Sequence, residues 1–169
     1  MVLGLSLPAF TMLHVIISLI AIVSGLVVMF GLLGSKPMPG LTAIFLLFTI
    51  LTSVTGFLFP FKELLPSHMV GILSLVLLAI ACIALYGAKL SGAWRPIYVV
   101  TAMISLYLNI FVLIIQAFLK VPALQALAPA VPPAPPSGPV FAVVQGIVLV
   151  FFVVLTIGAW RRYRPMTVA

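Results

Sequence analysis

Residues 9–33 read AFTMLHVIISLIAIVSGLVVMFGLL, a run without one Asp, Glu, Lys or Arg, in which only Thr11, His14, Ser18 and Ser24 interrupt the apolar sequence. At 1.5 Å rise per residue a helix of this length covers about 37 Å, more than the ~30 Å hydrocarbon core of a bilayer. Working outward, the pattern repeats at residues 41–59, 67–88, 96–119 and 140–160. Each run is bounded by residues that break helices. Pro37 and Pro39 lie before the second, Pro60 and Pro66 bracket its far end, and Gly87 to Arg95 closes the third. The expected fold is all-α: one domain over 1–169, an integral bundle of five transmembrane helices. Ser67 is the expected N-cap of the third helix, and Pro96 fits the first position of the fourth.

Composition agrees. Of the 169 residues 65% are apolar and 5% charged, and mean hydropathy is +1.46, too little charge to cover a soluble surface. The net charge of +7 arises because eight Lys and Arg face a single acid, Glu63. These cations fall singly at the ends of apolar runs, so they do not make the basic face of a nucleic-acid protein. One cysteine, Cys82, excludes an intrachain disulfide and a Cys-based zinc site. The absence of charge inside any run argues against a carboxylate proton relay or a voltage sensor. Neither a phosphate loop nor paired carboxylates nor a Ser-His-acid set is present, which argues against hydrolases and nucleotide-driven machines.

Alternate loops divide the cations unequally. Lys36, Lys89, Arg95, Arg161, Arg162 and Arg164 fall on one side, Lys62 and Lys120 on the other. The positive-inside rule then places the C-terminus in the cytoplasm and the N-terminus outside. Trp94, Trp160, Tyr98 and Tyr163 are expected at the cytoplasmic interface as aromatic anchors. The outer loop 122–139 is rich in proline and reads as a semi-rigid connector or as a docking surface for a membrane-complex partner, with a short interfacial helix from Pro122.

Inside hydrocarbon the informative residues are polar, because each needs a partner. His14, His68, Gln116 and Gln145 all fall toward the outer ends of their helices, with Asn109 near the midplane and Thr52, Ser53 and Thr55 in the outer half of the second helix. His14, Ser18, Ala21 and Gly25 form one stripe on the first helix; Ser105, Asn109 and Gln116 form one on the fourth. Gly25, Gly56, Gly71 and Gly146 mark expected close approaches of helices. Together these residues predict a polar ligand pocket in the outer leaflet. His14 and His68, about 6 Å apart in depth, are candidate axial ligands of a b-type haem, whose propionates Lys62 and Lys120 could pair. A quinone held by His14, Gln116 and Gln145 needs the same polarity without iron. Met12 and Met69 beside the histidines add a Cu(I)-type donor set. The competing reading of His14, Asn109, Gln116 and Gln145 is interhelical hydrogen bonding, with His68 solvated at headgroup level. The chain would then be a noncatalytic accessory subunit of a larger membrane complex; a small-solute transporter is less well supported.

Residues 105–124, SLYLNIFVLIIQAFLKVPAL, together with Pro66-Ser67-His68 and Trp94-Arg95-Pro96, resemble small multi-pass proteins of bacterial inner membranes. That resemblance implies the membrane location and no activity. In its helix-borne histidines the chain is loosely similar to small membrane cytochromes b, and no ligand assignment follows from that likeness.

Overall fold

The structure is a computed structural model that describes residues 2–60, 66–130 and 134–164. Its long elements are α1 (Leu7–Leu33), α2 (Pro39–Phe57), α3 (Pro66–Cys82), α4 (Trp94–Lys120) and α6 (Pro139–Arg162), with a single turn, α5 (Pro122–Gln125), after α4. Five helices, α3 being counted with the turn that extends it to Gly87, are long and apolar enough to cross a membrane. Multi-pass insertion in a bilayer follows from that length and composition.

Local chemistry sets the helix ends within about two residues of expectation. Ser6 caps α1, its Oγ accepting from Ala9 N–H at 3.4 Å, and Pro8 occupies the first turn, where no intrahelical donor is needed. α2 and α6 likewise open on Pro39 and Pro139. Two expectations are corrected. α3 begins at Pro66, so Ser67 sits within its first turn; α4 begins at Trp94, so Pro96 is its third residue, still among the N–H groups that no helix satisfies.

The end of α3 was not legible in sequence. Ile83–Gly87 widens into a π turn, with Ala88 N–H donating to Ile83 C=O at 2.8 Å. Lys89 and Leu90 then adopt positive φ of 48° and 57°, and Gly92 follows at 50°. Non-glycine residues at positive φ are uncommon, and two in succession make the reversal between α3 and α4 a tight one.

α4 is the central helix, touching α1, α2, α3 and α6. Among the described residues no Cα of α1 lies within 8 Å of one of α3. α6 sits at the periphery, against α4 and α1. Only Gln145, Phe152 and Ala159 are buried along it, spaced by sevens, so one narrow stripe holds it. α1, α2 and α4 meet at Gly25, where a Cβ would stand 2.6 Å from Leu106 Cδ1 and 2.8 Å from Phe45 Cδ2. Absence of a side chain is what lets these helices approach.

Helix direction gathers Lys36, Lys89, Arg95, Arg161, Arg162 and Arg164 at one end of the bundle and leaves Lys120 at the other; Lys62 and Glu63 lie outside the described residues. At the basic end Arg164 N–H donates to Ser35 Oγ at 2.7 Å, tying the end of α6 to the α1–α2 turn. Trp94 and Trp160 face outward there, as anchors do. Tyr98 and Tyr163 do not: they are 1% and 4% exposed and pack ring to ring at 6.2 Å within the core. For Tyr163, just past α6, burial pushes the phenol above its ordinary range.

Candidate functional site at the Lys120 end

The polar side chains of the bundle bond first across helices. His14 of α1 meets Thr55 of α2, Nδ1 to Oγ1 at 2.7 Å. Asn109 Nδ2 of α4 donates to Thr49 Oγ1 of α2 at 3.2 Å. Gln145 Nε2 of α6 donates to Phe111 C=O of α4 at 3.2 Å, while its buried Oε1 has no partner. Each bond joins a different pair of helices, as amides and imidazoles in membrane bundles commonly do.

The Asn109–Thr49 bond also fixes a register. α2 and α4 run in the same direction, and seven residues on, about 10.5 Å nearer the Lys120 end, the corresponding positions are Gly56 and Gln116. They lie two turns along the two helices from the bonded pair. Gln116 is exposed, so nothing closes over it. A Cβ on Gly56 would meet only one side chain within 4 Å, His14 Cε1 at 3.8 Å. The partly buried His14 ring therefore lies beside the glycine. Lys120 follows Gln116 by one turn at the end of α4. Phe59 closes one side, edge-on to His14 with centroids 5.2 Å apart, and Phe10 packs on Phe59 at 4.9 Å. The polar surface formed by His14, Thr55 and Gly56, with the exposed Gln116 of α4 at a similar depth and the two rings as an apolar flank, is termed the notch below.

Not every expected member joins it. His68 is 5% exposed rather than solvated, and its ring lies 5.7 Å from that of Phe57. Thr55 and Phe57 are two residues apart, about 200° around α2, so His14 and His68 stand on opposite faces of its last turn. The last turn of α2 thus stands between the two rings. Met12 and Met69, each 62% exposed, point away from the bundle. No group of three His, Cys, Asp or Glu residues that could hold a metal occurs among the described residues. Asn109 is spent on Thr49. Gln145 approaches α4 at Phe111, about 140° around that helix from Gln116, and thus belongs to the α4–α6 contact.

Thr55 and Gly56 are the members sequence reading did not combine with His14 and Gln116. A signal existed: Thr42, Thr49 and Gly56 repeat by sevens on α2 as Ala102, Asn109 and Gln116 do on α4. Elsewhere, Gly71 approaches Phe57, with a Cβ position 3.0 Å from its ring, whereas Gly146 has nothing within 4 Å and marks no approach. A groove of about 200 Å³ opens between α4 and α6, lined by Met103, Tyr107, Leu149, Phe152 and Thr156 among others. It is apolar apart from two hydroxyls and contains no residue of the notch. No protein-family model matches this chain, and no curated protein or solved structure matches it at a significant level.

Proposed function

We propose that the protein binds a lipophilic ligand with a polar head at the notch among α1, α2 and α4, His14 and Gln116 receiving the head and the flanking rings its apolar part. The observation that carries this reading is the partly exposed His14 ring beside Gly56, held by Thr55 through Nδ1, with Gln116 exposed at a similar depth on α4 and making no hydrogen bond among the described residues. The cationic asymmetry supports an orientation with the basic end cytoplasmic and the notch in the outer leaflet, and a bacterial inner membrane is the setting we assign. Of the two ligands expected from sequence, the quinone class suits this arrangement and a haem held by His14 and His68 does not.

The test is thermal unfolding of purified protein in mild detergent with a decyl-tailed benzoquinone, its hydroquinone, or neither. Ligand at a hundred times its Kd stabilises by about 2.7 kcal/mol. Both His14→Leu and Gln116→Leu should remove that increment. No shift with any polar-headed amphiphile would sink the reading.

A second reading, an accessory subunit of a larger membrane complex, is favoured by Tyr107. This fourteenth of the 27 residues of α4 stands at mid-span in the apolar groove, and its hydroxyl has no partner among the described residues. A phenol ordinarily finds an acceptor when removed from water, and a neighbouring subunit's helix would supply one. Tyr107→Phe should then weaken co-purification of that subunit while leaving the bundle's own stability intact.

A further inference from the structure

The Thr55 hydroxyl makes three close contacts, at 2.7 Å to Leu51 C=O, 3.2 Å to Thr52 C=O and 2.7 Å to His14 Nδ1. A hydroxyl has one proton and a carbonyl oxygen can only accept. At 2.7 Å from Leu51 C=O the proton must be directed into the helix, since otherwise two lone pairs would confront each other. Thr55 Oγ1 is thereby left as an acceptor toward the ring, and His14 Nδ1 must carry the hydrogen. No described carboxylate stands by to balance an imidazolium in this apolar setting, so the ring takes its neutral form with the lone pair on Nε2. The Ser18 hydroxyl bonds only the His14 backbone carbonyl, and no other group among the described residues hydrogen-bonds the His14 ring.

From this we infer that the notch selects a ligand whose head donates a hydrogen bond, a hydroquinone or phenol in preference to the corresponding quinone or ether, with Thr55 as the positioning residue that sets the tautomer. This inference rests on the ligand reading above and adds the chemical state of the head. A quinone carbonyl brought to Nε2 would set lone pair against lone pair, whereas a hydroxyl completes the bond. Gln116 is indifferent, because an amide offers both donor and acceptor.

Two measurements separate this inference from the reading beneath it. The chain has two histidines, so 15N-histidine labelling of the His68→Gln variant leaves a single ring, and its nitrogens report the tautomer without any ligand. A pyrrole-type Nδ1 and a pyridine-type Nε2 are expected; a pyrrole-type Nε2, or two protonated nitrogens, overturns the inference and leaves the ligand reading standing. Affinities of the full-length protein are then compared for decyl-tailed hydroquinone, benzoquinone and the hydroquinone dimethyl ether. One net hydrogen bond predicts about tenfold tighter binding of the hydroquinone. Thr55→Val should reduce that ratio toward one, and Thr55→Ser, which keeps the hydroxyl, should restore it. Equal affinity for hydroquinone and ether in the wild type refutes the selection. Failure of all three probes to bind refutes the ligand reading itself.

Discussion

Gly25→Ala probes the three-helix junction from which the notch takes its geometry. The added Cβ would sit 2.6 Å from Leu106 Cδ1 and 2.8 Å from Phe45 Cδ2, where carbon atoms prefer about 3.5–4.0 Å. Both neighbours are 1% exposed and enclosed by other core residues. The ~1 Å required must come from off-rotamer side chains or from parting the helices, a cost of about 1–3 kcal/mol. Against it stands roughly 1 kcal/mol of improved helix propensity. Gly146→Ala gives the reference, because it gains the same propensity and has nothing within 4 Å of the new methyl. Unfolding free energies of both variants, measured by circular dichroism during denaturation in one mixed-micelle system, should therefore differ by about 1–3 kcal/mol, with Gly25→Ala the less stable. Equal stability would mean that α1, α2 and α4 do not converge at Gly25.

Reporters fused after Ala169 should be active only as cytoplasmic markers, and activity in the outer compartment would reverse the orientation we propose. Protein expressed with ample haem should lack the reduced six-coordinate b-type spectrum; such bands, lost in both His14→Ala and His68→Ala, would show that α2 does not separate the two rings. Gly56→Ala should fold normally, since its methyl meets His14 Cε1 at an ordinary 3.8 Å, whereas Gly56→Leu should fill the notch and abolish the ligand-dependent rise in unfolding temperature. Gln145→Leu removes one interhelical bond and one orphaned buried oxygen together, so stability should change by less than about 1 kcal/mol; a larger fall would assign Gln145 a structural role beyond the Phe111 contact.

Hydropathy made the five helices legible because a 30 Å apolar slab admits few alternatives, and Pro122 marked a helix start directly, whereas Pro39 and Pro139, read as loop residues, open α2 and α6. The π turn left no such mark, since Ile83-Ala-Leu-Tyr-Gly87 is as compatible with an α-helix as with a wider one. The stripe of His14, Ser18, Ala21 and Gly25 was read correctly as facing other helices, since its spacing is intrinsic to the helix. What no single helix contains is azimuth. Depth alone put His14, His68, Gln116 and Gln145 at one level, while the angular separation of Thr55 from Phe57 on α2, and of Gln116 from Phe111 on α4, distributes them over three different contacts. The tyrosines illustrate the same limit: Tyr98 and Tyr163 have the composition of an interfacial belt, and only packing turns them inward.

The seven-residue stripe of α6 has a consequence for biogenesis. A ribosome delivers α1 to α4 before α6, and the Gly25 junction, the His14–Thr55 bond and the Asn109–Thr49 bond all lie within that earlier portion. Phe152, Ala159 and Tyr163 are the buried apolar residues that the last helix adds to the shared core. α6 thus arrives at a surface already shaped, sets Gln145 and Phe152 against α4, and is latched where the Arg164 amide reaches Ser35 in the α1–α2 turn.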